Sequence, residues 1–359
     1  MTRRTIWWGD HDEVVVIDQT RLPHELATVE WRTLDHACHG ITSMQVRGAP
    51  LIGVAAAHGL ALALAERPTE LDEAIRSLTG TRPTAVNLRW ALEQMAEQLG
   101  PLPVDQRAAA ARGLATEMAD HDVTACRRIG EAGVGVLADV HRRTGRPVQV
   151  LTHCNAGRLA CVEWGTATAP VYLAAQQGVP VHVWVSETRP RNQGASLTAW
   201  ELADAGVDHT LVVDNAAGHL LREHLVDLVI VGADRIAANG DTANKIGTSL
   251  KALAAREHGV PFLVAAPWST IDPRCATGAH VPIEERDAVE VLELAGRPIA
   301  PPGTRARNWA FDITPAELVT GYLTDAGHLT PAELRARRAD DGRVEAPGTA
   351  PGTAPGTAP

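Results

Sequence analysis

Two residues at the ends of predicted strands could carry out acid–base chemistry, Cys154 and Asp234. Cys154 follows the apolar run VQVL and stands in the polar turn THCNAG, whereas Asp234 closes the apolar segment LVIVGAD. Such runs predict buried strands, and side chains just past the carboxyl ends of parallel strands line the ligand crevice of an open α/β sheet. An inert buried cysteine, and an aspartate that caps a helix or pairs with Arg235, are the structural alternatives.

The apolar approach to Asp234 predicts that its pKa is raised. Burial disfavours the charged form of a carboxyl group, so an aspartate at the end of a buried strand stays protonated to higher pH. A carboxylic acid poised near neutrality can donate a proton to a substrate. We therefore expect an acid and a thiol on the same edge of the sheet.

A second set of residues could hold an anion at a helix start. Arg47, Gly48 and Ala49 precede the small-residue run LIGVAAA, which predicts a helix with Pro50 in its first turn. The free N–H groups and the positive end of the helix dipole would favour a phosphate there, beside the arginine. An ordinary helix start without a ligand is the alternative.

Further basic residues stand near other predicted helix starts. Arg82 comes just before a predicted helix capped by Thr84, so one anion could be held by two arginines from two sides. Asn244 and Lys245, in the segment NKIGT, open another predicted helix and could bind a sugar hydroxyl or a phosphate. Solvated surface side chains are the alternative for Arg82 and for Lys245.

The elements that must position these residues alternate in type. Short runs rich in β-branched residues, separated by helical patterns about 10 to 15 residues long, predict strands at residues 148–152, 181–185, 210–213, 228–231 and 262–266. This alternation is typical of an α/β fold with a doubly wound, Rossmann-like parallel sheet. Polar residues follow each of the first four strands, so we expect them to converge on one edge.

The predicted catalytic domain spans residues 144–335 and follows a smaller, mainly helical N-terminal domain that spans residues 1–143 and carries a few strands. In the smaller domain, Trp7 and Trp8 with residues 13–17 predict short antiparallel strands, and residues 105–142 predict an almost continuous helix. The segment GVGVLA matches a dinucleotide-binding pattern letter by letter, but it follows a helix instead of a strand, so we reject it as a cofactor site.

The last part of the chain contains a predicted helix and a tail. Thr314 is expected to cap a helix over residues 315–323. Residues 336–359 end in a PGTA repeat, whose content of proline and glycine predicts a disordered tail.

Composition narrows the ligand class. The chain has 359 residues, 45% of them hydrophobic, and a net charge of −10, which gives no general basic field for nucleic acid. Its five cysteines lack the spacing of a disulfide framework or a zinc site, which favours a reducing cytoplasm, and no run of about 18 apolar residues suggests a membrane span. HExxH, clustered histidines and a serine–histidine–aspartate pattern are also missing from the sequence. We expect no metal and no cofactor, and proton transfer on a phosphorylated sugar needs neither.

Six motifs, in order along the chain, make the sequence similar to the S-methyl-5-thioribose-1-phosphate isomerases. That family is related to the regulatory subunits of the guanine-nucleotide exchange factor for translation initiation. The motifs are VRGAPLIGVAAAHG at 46–59, RPTAVNL at 82–88, LTHCNAG at 151–157, ETRPRNQGASLTAWEL at 187–202, IVGADRIAANGDTANKIGTS at 230–249 and FDITPAEL at 311–318. The resemblance covers nearly all of residues 18–329.

The resemblance implies a homodimeric, cofactor-independent aldose–ketose isomerase of methionine salvage, which converts methylthioribose 1-phosphate to methylthioribulose 1-phosphate. It implies that Cys154 and Asp234 are the catalytic pair. It also implies that the substrate is bound by Arg47, Gly48, Ala49, Arg82, Gln193, Asn244 and Lys245. Gln193 is the one member of this set that the local sequence pattern does not single out.

Departures from the family pattern leave the substituent at C5 of the sugar open. Ser186 stands where the family has an acidic residue, and tryptophans occur at unusual positions, of which Trp268 could line the pocket. Methylthio, methyl and other small groups differ by only about 1–3 kcal/mol of binding energy. A sister isomerase acting on 5-deoxyribose 1-phosphate or ribose 1,5-bisphosphate is therefore the second hypothesis.

A non-catalytic regulatory or nucleotide-sensing subunit of the same fold is the third hypothesis. The presence of both Cys154 and Asp234 argues against it, because a sensor needs no acid and thiol together. Whether the hydrogen at C2 would move as a proton or as a hydride is not decided by residue types.

Overall fold

A computed structural model describes residues 4–82 and 85–344 of the chain, without the side chains of residues 338–344. Its N-terminal part is a small antiparallel sheet followed by helices, as predicted. The elements are β1 (Ile6–Trp8), β2 (Val14–Ile17), β3 (Thr28–Trp31), α1 (Leu34–Thr42), α2 (Ala49–Glu66), α3 (Leu71–Thr81), α4 (Val86–Leu99) and α5 (Val104–Thr144). The predicted cap Thr84 lies outside the described residues, and α4 has Ala85 at its N-cap, with no side-chain hydrogen bond there.

Helix α2 is the centre of the N-terminal core. It starts as predicted, with Gly48 at the N-cap and Pro50 in the first turn, and α1, α4 and α5 contact it. By length and composition, α2 is one helix of the described chain that could cross a membrane, but 78% of that stretch is buried inside the protein. An apolar helix of this kind is what the interior of a helical layer requires.

Helix α5 joins two hydrophobic cores. Ala111 and Ala115 pack into the N-terminal core, whereas Ile129 and Leu137 pack into the core beneath the large sheet. The segment GVGVLA lies within this helix, in agreement with its rejection as a phosphate-binding loop.

The C-terminal part is built mainly from strands that alternate with helices. In chain order its elements are β4 (Val148–His153), α6 (Ala169–Gln176), β5 (Val181–Ser186), α7 (Ala199–Asp204), β6 (Asp208–Val212), α8 (Ala216–Arg222), β7 (Leu228–Val231), β8 (Arg235–Ala237), β9 (Thr242–Lys245), α9 (Thr248–Glu257), β10 (Phe262–Ala265), β11 (Ile271–Asp272), α10 (Val289–Leu292), β12 (Glu293–Leu294), β13 (Arg297–Pro298), β14 (Phe311–Thr314), β15 (Gly321–Thr324), β16 (Gly327–Leu329) and α11 (Pro331–Val344). All five predicted strands are present.

The large sheet confirms the predicted doubly wound topology. Its strand order is β16-β15-β10-β7-β4-β5-β6, and its neighbouring strands are parallel except for the antiparallel edge strand β16. From β4 the chain builds outward through β5 and β6, and it then returns to β7 on the other side of β4. Ligands of such sheets bind in the crevice at this switch point. Cys154 follows β4 and Asp234 follows β7, so both lie beside the crevice.

The helix predicted over residues 315–323 is wrong. The structure has a short 3-10 turn at Ala316–Leu318, and β15 then pairs with β10 in the large sheet. Thr314 lies in β14, where its hydroxyl has no hydrogen-bond partner among the described residues, so it caps no helix. Pro315 resembles a helix start, but burial of Tyr322 and Leu323 inside the sheet outweighs that local preference.

A small second sheet shows that the predicted helix start at Asn244 and Lys245 is also wrong. Its strand order is β11-β8-β9-β14. Asn244 and Lys245 are the last residues of β9 instead of the start of a helix, since α9 begins at Thr248. At the end of the chain, α11 continues across residue 336, where the tail was predicted to begin. The PGTA repeat lies outside the described residues.

Candidate active site

One pocket at the switch point brings together all the catalytic and substrate-binding residues that the sequence analysis named. Its volume is about 670 Å³ including space open to solvent, and it opens between the N-terminal helices and the carboxyl edge of the large sheet. The predicted residues that line it are Arg47, Gly48, Ala49, Arg82, Cys154, Gln193, Asp234, Asn244 and Lys245.

The loop after β4 holds Cys154 in an unusual backbone conformation. Its φ of 65° lies in the left-handed region, which costs a non-glycine residue of the order of 1 kcal/mol or more. Two threonines from the β5–α7 segment fix the loop: Thr188 Oγ1 accepts the Cys154 N–H at 2.8 Å, and the Thr198 hydroxyl donates to the Cys154 carbonyl at 2.6 Å. The half-buried thiol is therefore held at the pocket wall by its backbone.

Asp234 lies in the turn between β7 and β8, where its N–H donates to the Ala243 carbonyl at 2.9 Å. Burial raises the pKa of its carboxyl, as predicted, although the positive charges of Lys245 and three arginines oppose that shift. A strand follows it, so the aspartate caps no helix. The carboxyl can thus hold a proton beside a cationic pocket.

Lys245 is buried, which contradicts the surface-lysine alternative. Its ammonium group donates to the Ala310 carbonyl at 2.8 Å and lies 4.6 Å from the centre of the Phe311 ring. Burial, followed by the charge of Arg286, lowers its pKa to about 8, while negative charge at Cys154 and Asp234 opposes the shift. The group is therefore cationic at neutral pH but loses its charge in mildly alkaline solution.

Arg47 is anchored by Asn155, the residue after the thiol. Its guanidinium donates to the Asn155 carbonyl at 2.7 Å and also to the Asn155 side-chain oxygen. Asn155 in turn donates to Glu201 at 2.8 Å, and Glu201 also accepts the Leu159 N–H at 3.3 Å. This hydrogen-bonded chain fixes the direction in which the arginine faces the pocket.

Glu201 is a residue that sequence analysis missed. It is fully buried on α7, and burial raises its pKa to about 7 in spite of the nearby charge of Arg158. Gly157 is needed next to it, because a Cβ there would stand 1.4 Å from the Glu201 carboxyl. Its place in the motif TAWEL gave no sign that the side chain is buried.

We expect Glu201→Gln to raise KM for the sugar phosphate about 3–10-fold, with a smaller change in kcat. The amide would place a donor against the Asn155 amide or the Leu159 N–H, and losing one hydrogen bond in this chain costs about 1 kcal/mol. Steady-state kinetics that separate KM from kcat would test this. Glu257→Gln, the same substitution at an exposed position at the end of α9, should leave both constants unchanged. An unchanged KM in Glu201→Gln would show that the chain does not position Arg47.

Arg286 is the second residue that sequence analysis missed. The cationic side chains that line the pocket in the described chain are Arg47, Arg82, Lys245 and Arg286. Arg286 Nε donates to Glu284 at 2.8 Å, so one carboxylate already partners this arginine. Its segment has no strong strand or helix pattern, and only tertiary folding brings it to the pocket.

Gln193 and Gly48 have features that suit contact with a ligand. Gln193 is buried, and its side-chain oxygen has no hydrogen-bond partner among the described residues, although buried polar atoms rarely stay unpaired. Gly48 has a φ of 99°, and a Cβ there would approach the Ala160 Cα to 2.5 Å. Glycine therefore allows the start of α2 to lie directly against the loop after the thiol.

The remaining polar residues of the sheet edge support the loops. Asp214 accepts the Ser186 hydroxyl at 2.6 Å, the Thr188 N–H at 2.8 Å and the Arg189 N–H at 2.7 Å, and it does not line the pocket. Ser186, the departure from the family pattern, thus has a structural role. Burial lowers the pKa of His153 to about 3, so its ring is neutral.

Trp268 does not line the pocket, contrary to expectation. It packs against the core on the other face of the large sheet, and its backbone N–H donates to the Asp325 carboxylate at 2.7 Å. Only the neighbouring Pro267 reaches the pocket wall.

The chain resembles known proteins over most of its length. The model of the initiation factor 2 subunit family matches residues 45–331. A methylthioribose-1-phosphate isomerase of Rhodospirillum rubrum is 53% identical over 343 residues, covering 90% of this chain and 88% of that protein. A methylthioribose-1-phosphate isomerase of Methylorubrum populi is 54% identical over 332 residues, covering 89% of this chain and 91% of that protein.

Solved structures also match most of the chain. The 5-methylthioribose 1-phosphate isomerase from Pyrococcus horikoshii OT3 has a TM-score of 0.84 and 40% identity, and the match covers 94% of this chain and 95% of that one. The translation initiation factor eIF-2B, subunit delta, from A. fulgidus has a TM-score of 0.80 and 39% identity, covering 93% and 99%. Both matches extend over the N-terminal helices and the large sheet.

Proposed function

We propose the function of this chain from the premise that it belongs to the methylthioribose-1-phosphate isomerases of the initiation factor 2 subunit family. It is an aldose–ketose isomerase that converts S-methyl-5-thioribose 1-phosphate to S-methyl-5-thioribulose 1-phosphate in methionine salvage. The observation that carries the assignment of the site is the single pocket in which the thiol, the acid and the anion-binding residues meet. The roles of these residues are our proposal.

Ring opening is the first chemical problem. The phosphate occupies the anomeric oxygen of the substrate, so the ring cannot open as a free hemiacetal does. We assign protonation of the ring oxygen to Asp234, whose raised pKa keeps the proton available, and cleavage of the bond between C1 and that oxygen follows. The carboxylate that remains can accept the proton of the C2 hydroxyl when the ketone forms.

Transfer of the hydrogen from C2 to C1 is the second problem, and we assign it to Cys154. Cys154 is held at the pocket wall by its own backbone, so its thiolate can take the proton from C2, and the thiol so formed can return it to C1 without moving far. Substrate deuterated at C2 distinguishes two routes. Exchange of the label with solvent indicates a proton carried through an enediol, whereas full retention on C1 indicates a hydride shift.

Arg47 and Arg82, with the N–H groups of Gly48 and Ala49, are proposed to hold the phosphate. Asn244, Lys245 and Gln193 would bind the sugar hydroxyls or the phosphate. Because Glu284 already partners Arg286, the pocket favours one phosphate over two, which supports a thioether or another uncharged group at C5 over ribose 1,5-bisphosphate. We also propose, from the family resemblance, that the protein is a homodimer in the cytoplasm.

Arg47→Gln is expected to raise KM for the sugar phosphate about 10–100-fold, with a smaller effect on kcat. A hydrogen bond to a charged group contributes about 1.5–3 kcal/mol, and the amide cannot replace the paired donors of the guanidinium. Initial rates at varied substrate concentration would show the change. Arg76→Gln, on the exposed face of α3, is the matched control and should behave as wild type. An unaltered KM in Arg47→Gln would remove this residue from the phosphate site.

A direct test is carbon NMR of the purified protein with methylthioribose 1-phosphate in the presence of a chelator. We expect the open-chain ketone to appear with wild type and not with Cys154→Ala. Parallel reactions with 5-deoxyribose 1-phosphate and ribose 1,5-bisphosphate would rank the substrates. Absence of ketone from all three sugars would overturn the enzymatic assignment and favour a regulatory subunit.

A further inference from the structure

A second cluster of reactive side chains lies behind the active-site pocket. One oxygen of Asp122 and the sulfur atoms of Cys126 and Cys161 all lie within 4.8 Å of one another, and all three residues are buried. The mechanism proposed above uses none of them. Sequence spacing gave no hint of the cluster, because Cys161 is separated from the other two by more than thirty residues.

Two segments build the cluster. Asp122 and Cys126 are one turn apart on α5, so they lie on the same face of that helix. Cys161 follows the 3-10 helix Arg158–Ala160, and the next residue, Val162, donates its N–H to Asp122 at 2.7 Å. The Thr5 hydroxyl donates to the Cys161 carbonyl. The cluster therefore joins α5 to the segment that continues from the Cys154 loop.

Two thiols and a carboxyl are a typical donor set for a thiophilic divalent cation. Zn²⁺ takes cysteine sulfur and aspartate oxygen in tetrahedral sites, and three protein ligands leave one position for water. Burying a carboxyl group beside two thiols inside the protein is costly, because polar groups that leave water need partners. Cysteines that served only as small hydrophobic residues would not explain a buried carboxyl beside them.

A cavity gives the cluster a route to solvent. It is lined by Asp122 and Ala125 on α5, by Asn87 on α4, and by the side chain of His121. Water from this cavity could supply the fourth ligand, and a cation could reach the site without unfolding the helices. Cys161 meanwhile lines the active-site pocket, so the cluster stands between the two cavities.

We propose that Asp122, Cys126 and Cys161 bind one thiophilic divalent cation of the Zn²⁺ class, which ties α5 to the loop beside the active site. The cation stabilises the fold and takes no part in the isomerisation. The proposal does not rest on the proposed function, because none of the three ligands has a role in the proposed mechanism.

The test uses the full chain, reduced and freed of metal with a chelator that is then removed. Titration with Co²⁺ is expected to produce a sulfur-to-metal charge-transfer band that saturates at one equivalent and disappears when Zn²⁺ is added. Zn²⁺ should also raise the melting temperature by roughly 5 °C at a hundredfold excess over Kd. Wild type without a band, or with no thermal shift, overturns the proposal.

Variants locate the site. Cys126→Ser and Cys161→Ser should lose the band, whereas Cys275→Ser, a buried cysteine elsewhere, and Cys154→Ala should keep it. If either serine variant fails to fold, Asp122→Asn, which preserves the shape of the side chain, should still fold and bind Co²⁺ at least tenfold more weakly. A band that survives in both serine variants, or unchanged affinity in Asp122→Asn, rejects these ligands.

Discussion

Asp234→Asn is expected to lower kcat about 10²–10⁴-fold while KM for the sugar phosphate changes by less than a few-fold. Asparagine fills the same space at the β7–β8 turn and keeps the backbone hydrogen bond to Ala243, but it cannot donate a proton to the ring oxygen. Rate measurements at saturating substrate would show the loss. Asp208→Asn, on the exposed edge strand β6, is the matched control and should retain full activity. A kcat within a few-fold of wild type would exclude the carboxyl as the acid.

The pH dependence of kcat/KM follows from the protonation of Asp234 and Lys245. Both groups act in their protonated forms, so kcat/KM should fall as the pH rises through their pKa values. Burial raises the pKa of Asp234, which keeps the acid protonated to higher pH, and the pKa of Lys245 is about 8. In Asp234→Asn the residual activity should retain only the alkaline fall near the lysine pKa. A pH profile in which the variant and wild type have the same shape would contradict the assignment.

The centre of this site could be predicted because local sequence and topology agree there. The segments before Cys154 and Asp234 are apolar and rich in β-branched residues, and they do form the adjacent strands β4 and β7 at the switch point. Strand ends beside that point face the crevice in any doubly wound sheet. The two residues therefore needed no tertiary information beyond the fold class.

The periphery of the site could not be predicted in the same way. Arg286 reaches the pocket from a segment without a strong strand or helix pattern. Glu201 does not line the pocket and is linked to it by the hydrogen bond from Asn155. Lys245 seemed to open a helix because a Gly-Thr pair follows two residues later, yet pairing of β9 with β14 buries it. In each case a contact between distant segments outweighs a weak local preference.

The wrong prediction of a helix over residues 315–323 has the same cause. Pro315 after Thr314 is a good local start for a helix, and residues 315–323 contain no strong strand pattern. The strand β15 is nevertheless required, because β10 would otherwise stand at the edge of the sheet with its backbone groups unpaired. Pairing of Leu263 with Gly321 satisfies those groups, and no local pattern encodes that pairing.

Cys154→Ser is expected to lower kcat about 10²–10⁴-fold without a matching change in KM. The hydroxyl is close in size to the thiol, and the backbone hydrogen bonds to Thr188 and Thr198 do not depend on the side chain, so the loop should keep its shape. A serine hydroxyl is a far weaker acid than a thiol, so the anion that must take the proton from C2 is rarely formed. Substrate deuterated at C2, followed by NMR, would measure both ketone formation and the fate of the label.

The label also separates the two roles that a thiol could have at C2. If the thiol carries the proton, the variant loses ketone formation and solvent exchange of the deuterium together. If it only stabilises charge while a hydride moves, the variant turns over slowly and still retains the deuterium on C1. Cys38→Ser, a half-buried cysteine in α1, is the control and should match wild type in rate and labelling. Wild-type turnover in Cys154→Ser would show that the thiol touches neither C1 nor C2.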